Sequence, residues 1–257
     1  MSILFNEIVF GPVHSRRLGV SLGINLMPLH SKICSYDCVY CECGLNAAAD
    51  KKEKKIFTAE EIMQALNQRF DALHKQGLHP DSITFSGNGE PTLHPGFEEI
   101  IDETIRLRNI YFPKAKISVL SNASQLHKDA VKKALLKVDN ALLKLDAGTD
   151  KTFQLIDCPN NLHLDEVIKN LKSFNGQLII QTILVRGDVK GVYVDNTTEE
   201  ELSLYLKYIS EIKPQKVMLY PIDRETPYKT LEKVPREIFE NLAERIEKLG
   251  IETEIAY

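Results

Sequence analysis

Short apolar runs alternate with longer stretches of helical periodicity along most of the chain. The runs at 22–26, 82–85, 116–122, 141–146, 178–185 and 216–220 read as strands, and 254–257 is placed to add an edge. Between them lie helix signals. Thr58 and Glu61 form a capping box, in which hydroxyl and carboxylate each satisfy a free amide. Ile62, Leu66, Phe70 and Leu73 then mark one helical face, and Gly77 can end it. Thr198 and Glu201 repeat the signal before Leu202, Leu206 and Ile209. Pro235 suits the first turn of the last helix and Gly250 its end. Regular strand–helix alternation predicts an α/β fold, a parallel sheet with helices outside. About six such units make a partial (β/α)6 barrel. Residues 1–257 read as one domain, with 1–21 a short N-terminal extension packed on the barrel.

Composition narrows this picture. The 257 residues are 43% hydrophobic, enough for a full core. A net charge of −4 gives no global basic signal, so a nucleic-acid partner stays open without being favoured. The charge run Lys51-Lys52-Glu53-Lys54-Lys55 reads as a solvated loop, or as an anion or RNA contact. Apolar runs such as 178–185 are too short to span a bilayer, and the N-terminus lacks a basic leader segment. A cytoplasmic protein with reduced thiols and no membrane partner is expected.

The densest chemistry is Cys34-Ser35-Tyr36-Asp37-Cys38-Val39-Tyr40-Cys41. Three thiolates on one short loop can hold three irons of a cubane and leave the fourth iron open, whereas a closed electron-transfer site takes four cysteines. A zinc knuckle completed by Cys43 or His30 is the competing metal reading, although no second ligand pair is visible. A non-catalytic iron–sulfur or zinc protein therefore stands as an alternative.

Ligands of parallel α/β folds gather beyond the carboxyl ends of the strands. The second predicted strand runs into Gly87-Asn88-Gly89-Glu90, where glycines admit close backbone approach and Glu90 can accept from an ammonium. The third ends at Ser121-Asn122. The fourth puts Leu142, Lys144 and Asp146 on one face, where a lysine and an aspartate are costly unless paired or used. The sixth leads to Asp223-Arg224, and Arg16-Arg17 sit near the N-terminus between glycines.

The cysteine spacing and its aromatic Tyr40 resemble the signature of the radical S-adenosylmethionine (radical SAM) superfamily. The Gly87–Glu90 turn is similar to that family's Gly-Gly-Glu motif, with Asn88 inserted. Together with the Arg16-Arg17 segment, 22–25, 144–147 and Asp223-Arg224, these residues look like one subgroup. Its members are iron–sulfur oxidoreductases related to the wyosine-base (tRNA imidazoguanosine) synthases.

The resemblance implies one [4Fe–4S] cluster on Cys34, Cys38 and Cys41. It implies SAM bound near Gly87, Asn88, Gly89, Glu90, Asn122, Lys144 and Asp146. Reductive cleavage of SAM to a 5′-deoxyadenosyl radical would then abstract hydrogen from a substrate beside Arg16, Arg17, Asp223 and Arg224. Reduced flavodoxin or ferredoxin is the implied electron donor. Modification of a tRNA base is the runner-up activity, but the tRNA-modifying relatives carry a second cluster on upstream cysteines. No cysteine precedes Cys34 here, and only Cys43 and Cys158 lie outside the triad.

Overall fold

The computed structural model describes residues 3–15, 17–46 and 55–257. Its strands are β1 (Val9–Ser15), β2 (Gly19–Ile24), β3 (Ser82–Phe85), β4 (Lys116–Ser121), β5 (Asn140–Lys144), β6 (Ile179–Val189), β7 (Val192–Asp195), β8 (Lys216–Pro221), β9 (Leu231–Lys233) and β10 (Glu252–Ile255). Its helices are α1 (Ala59–Lys75), α2 (Phe97–Tyr111), α3 (Asp129–Lys137), α4 (Asp150–Ile156), α5 (Leu164–Lys172), α6 (Glu199–Ile212) and α7 (Arg236–Glu247).

The sheet order is β1-β2-β3-β4-β5-β6-β8-β10, with every pair from β2 onward parallel. This is the α/β fold expected, an open sheet that does not close into a barrel. It has one more parallel strand than the six units predicted, because the expected edge at 254–257 is the full partner β10. Three antiparallel strands were not anticipated. β1 pairs with β2, and β7 and β9 pair with the far half of β6. β9 has three residues, too few for a periodic signal.

The parallel register sorts side chains onto two faces. Leu22, Ile24, Ile83, Phe85, Ile117, Val119, Leu143, Ile180 and Val217 form the outer face and are buried against the helices. The inner face is largely polar. Ser21, Thr84, Ser82, Ser118 and Asn140 join in one hydrogen-bonded ladder across four strands, with steps of 2.7–3.0 Å. Leu120, Leu142, Ile179 and Met218 make a small apolar layer on that face. Beyond it, toward the strand ends, come Lys144, Gln181 and Tyr220.

Local signals account for α1. Thr58 and Glu61 close their reciprocal cap, and Gly77 follows the last turn at φ +70°. Ile62, Leu66, Phe70 and Leu73 are fully buried, each contributing about 1.5–3 kcal/mol. At α6 the cap is one-sided. Thr198 accepts from the Glu201 amide, but the Glu201 carboxylate turns away to the start of α4. There it accepts from the Gly148 and Thr149 amides and from the Thr149 and Thr152 hydroxyls. Among the described residues no helix is long and apolar enough to cross a membrane.

Candidate active site

The cysteine loop leaves β2 and is gripped from both sides. The Asn25 carboxamide oxygen accepts from the amides of Met27 (3.1 Å) and Asn88 (3.0 Å), tying the loop's start to the glycine-rich turn after β3. Ile33 N donates to Asn88 O and Glu90 N donates to Ile33 O, both at 3.0 Å. This docking needs a glycine at 89. Its φ is +135°, and a Cβ there would lie 1.8 Å from the Ile33 carbonyl oxygen. On the other side, Asp37 N donates to Asp157 O (3.1 Å), Val39 N to Ile156 O (2.9 Å) and Asn160 N to Ser35 O (3.0 Å). The chain after α4 thus completes the frame.

Cys34, Cys38, Cys41 and Cys43 all line one cavity of about 230 Å³, which Lys32, Gly87, Gly89, Glu90, Asn122 and Lys144 help to enclose. Asn122 Nδ2 approaches Cys34 Sγ (3.5 Å), Cys38 donates to Asp157 Oδ1 (3.4 Å), and Cys43 donates to Gly87 O (3.3 Å). Burial pushes the Cys34 thiol up to about 11 and raises Cys38 as well. The Cys43 thiol beside it and the Lys32 ammonium pull Cys41 down, and Cys43 is raised in return. Burial would lower the Lys32 ammonium, yet Cys41, Cys34 and Cys38 together hold it above its ordinary value. A soft three-thiol donor set with a buried cation behind it suits a thiolate-bound iron cluster. The thiols line the cavity without converging; among the described residues no three His, Cys, Asp or Glu side chains close on a single-ion site.

Behind Cys38 stands a buried charged group. Lys144 Nζ lies 3.0 Å from Asp146 Oδ2 and 3.7 Å from Asp157 Oδ1, and it bonds the Tyr40 hydroxyl. Tyr40 donates to both Asp146 and Asp157. Asp146 Oδ1 also accepts from Ile183 N (2.9 Å). Burial first, and the Asp146 charge next, push the Asp157 carboxyl up to about 7. Burial opposes the Lys144 charge, but Asp146, Cys38, Tyr220 and Asp157 hold it well above its ordinary value.

A second cavity, about 260 Å³, shares Tyr40, Cys41, Leu120 and Gln181 with the first. Arg17, Tyr220, Asp223 and Arg224 complete much of its wall. Arg17 donates to Gln181 Oε1 (2.7 Å) and lies 4.7 Å over the Tyr220 ring. Arg224 pairs with Glu42 at 2.8 Å. A larger hollow of about 780 Å³ lies on the helical side near Glu98, Asp102 and Arg106 and meets none of the cysteines. Size therefore does not mark the site here; the thiols and the convergent strand ends do.

The sequence profile of the radical SAM superfamily matches residues 29–188. The chain belongs to the radical SAM superfamily.

Curated proteins and solved structures are similar to the chain over most of its length. A protein named GTPase Obg from Brachyspira hyodysenteriae is 34% identical over 88% of the chain, which spans 31% of that protein. A UPF0026 protein from Helicobacter pylori J99 is 31% identical over 86% of the chain, which spans 68% of that protein. Among solved structures, a radical SAM methyltransferase from Sphaerobacter thermophilus has a TM-score of 0.64 at 14% identity, covering 91% of this chain and 65% of that one. TYW1 with a lysine-pyruvate adduct bound has a TM-score of 0.62 at 16% identity, covering 89% and 73%. At such identities these structures bear on the fold alone.

The radical SAM fold brings most of the sequence candidates together. Cys34, Cys38, Cys41, Gly87, Gly89, Glu90, Asn122 and Lys144 reach the first cavity, and Arg17, Asp223 and Arg224 the second. Arg16 lies outside the described residues, as do Lys51, Lys52, Glu53 and Lys54 of the charge run. Two candidates stand off the cavity walls. Asn88 turns away and spends its amide on the carbonyls of Phe5 and Pro28, both at 2.8 Å. Asp146 is sealed behind Lys144. Glu90 reaches the wall but commits both oxygens to Thr92, Ser121 and Asn122. Sequence reasoning missed Asp157, Lys32 and Tyr220. Asp157 adjoins Cys158, its only sequence cue; Lys32 and Tyr220 carry no motif of their own.

Proposed function

We propose that this radical SAM enzyme holds a [4Fe–4S] cluster on Cys34, Cys38 and Cys41 and binds SAM in the cavity those thiols line. One observation carries the reading: the Cys34, Cys38 and Cys41 thiols of a single gripped loop, with Cys43 beside them, share a cavity with the ends of three consecutive strands. Bound there, the reduced cluster supplies the electron that cleaves SAM to methionine and a 5′-deoxyadenosyl radical.

The chain's own residues then have separate tasks. The backbone of Gly87 and Gly89 offers close approach to the amino-acid end of SAM. Asn122 orients Cys34, and Glu90 holds Asn122 in place. Lys144 sets a positive charge on the wall, fixed by Asp146, Asp157 and Tyr40. Asp146 acts through Lys144 in this reading rather than on the ribose. The second cavity receives the substrate, beside Arg17, Asp223 and Arg224. Shared walls put substrate and cofactor next to each other, which is what hydrogen abstraction requires. Reduced flavodoxin or ferredoxin, in a reducing cytoplasm, delivers the electron.

The test is anaerobic reconstitution followed by SAM and dithionite, with assay for 5′-deoxyadenosine. About four irons per chain are expected in wild type and in Cys43→Ala and Cys158→Ala, and none in Cys34→Ala, Cys38→Ala or Cys41→Ala. Loss of iron in Cys43→Ala would establish a closed four-thiol site and defeat the proposal. Zinc in place of iron would defeat it equally.

A further inference from the structure

Among the described residues four cations line the two joined cavities, and three already face carboxylates. Lys32 lies 3.4 Å from Asp37, Lys144 is held by Asp146 and Asp157, and Arg224 by Glu42. Arg17 has no carboxylate within ion-pair distance among the described residues. Its guanidinium is nonetheless fixed, by the Gln181 carboxamide on one edge and the Tyr220 ring beneath. A half-buried cation that is oriented but not neutralised is costly unless a ligand brings the counter-charge. A planar guanidinium with free N–H groups matches carboxylate and phosphate oxygens.

We infer that the substrate carries an anionic group, a carboxylate or a phosphate, and that Arg17 recognises it. The inference rests on the second cavity being the substrate site, since Arg17 lines that cavity and not the one walled by Gly87 and Glu90. Tyr220 gives the guanidinium a flat apolar support, and Gln181 ties its orientation to the sheet that carries Lys144. A cavity of about 260 Å³ suits a small molecule or one end of a larger one.

The experiment is equilibrium dialysis of the anaerobically reconstituted protein, without reductant, against radiolabelled inorganic phosphate in one arm and radiolabelled acetate in the other. Saturable binding of at least one anion is expected, weakened about tenfold or more in Arg17→Gln and partly kept in Arg17→Lys. The arm that binds identifies the kind of anion. Gln181→Leu leaves the charge but frees the guanidinium, and is expected to weaken the same binding; it serves if Arg17→Gln does not fold.

Three outcomes overturn the inference: no saturable binding in either arm, equal binding in wild type and Arg17→Gln, or displacement of the anion by SAM, which would give Arg17 to the cofactor. The reaction class is read separately, from 5′-deoxyadenosine released by wild type. Anion binding through Arg17 without that product keeps the anion site and defeats the reaction class instead.

Discussion

The Asp157 carboxylate accepts the thiol hydrogen of Cys38 at 3.4 Å, although 119 residues separate the two. Its other oxygen is buried without a hydrogen-bond partner among the described residues. With Cys38 as the proposed cluster ligand, a carboxylate so close to it would oppose the addition of an electron to the cluster. Asp157→Asn should therefore raise the reduction potential of the reconstituted protein by tens of millivolts, roughly 60 mV being tenfold for one electron. Redox titration followed by electron paramagnetic resonance reads this directly. A potential equal to wild type would show that the carboxylate only holds Tyr40 and Lys144 in place.

Gly89 gives a sharper structural test, because its Cβ would overlap the Ile33 carbonyl at 1.8 Å. No side-chain adjustment relieves a clash with backbone. Gly89→Ala should separate the glycine turn from the cysteine loop, break the two backbone hydrogen bonds at Ile33, and cost about 2–4 kcal/mol. Iron uptake should fall with it. Gly77→Ala is the control. It also has a positive φ, but among the described residues nothing beyond its chain neighbours lies within 4 Å of an added Cβ. That variant should lose about 1–2 kcal/mol and keep full iron content. Similar losses in both would show that backbone conformation, rather than loop docking, governs Gly89.

These contrasts show what the sequence made legible. The α1 face, its cap and the main parallel strands follow from local rules that act within a few residues. The thiol triad is legible for the same reason, as its members share one loop. Glu90 was identified as a site residue, but its role was not legible. Whether its carboxylate points to a ligand or to Ser121 depends on the register of β3 against β4, which joins residues 31 positions apart. Asp157 was invisible because it acquires meaning only when the chain after α4 packs against the cysteine loop. Arg17 drew attention through its neighbours, yet its lack of a counter-ion among the described residues is a property of the folded cavity.

Away from the site, His163 and Asp150 bond at 3.0 Å where α4 and α5 meet. The hydrogen bond to Asp150 is the main cause raising the His163 ring above its ordinary 6.5. Burial would raise the Asp150 carboxyl, but the Leu164 amide and His163 hold it below its ordinary 3.8. The histidine's contribution is complete below 6.5 and is lost as pH rises through the raised value. The aspartate's is complete above 3.8 and is lost as pH falls through the lowered value. The pair thus supports the fold most between about pH 4 and 6.5. Nuclear magnetic resonance titration should place the His163 midpoint lower in Asp150→Asn than in wild type. An unmoved midpoint would mean that the ion pair does not form in solution.

Glu90 separates two roles that the sequence could not. Its Oε1 accepts from Thr92 N (3.0 Å), Thr92 Oγ1 (2.5 Å) and Ser121 Oγ (2.8 Å), and its Oε2 from Asn122 N (2.6 Å). Burial raises its carboxyl despite these four donors. Every partner is a donor, so an amide in place of the carboxylate sets an N–H against a backbone N–H in either orientation. Glu90→Gln should cost about 1–3 kcal/mol, seen as an earlier urea midpoint. Asn122 also reaches Cys34 and Ser35, so iron uptake should slow in the same variant. SAM affinity of the folded, reconstituted protein should change by less than about tenfold, because both carboxylate oxygens are already engaged by the chain's own donors. Loss of SAM binding at unchanged stability would reverse this assignment and return Glu90 to direct contact with the SAM ammonium.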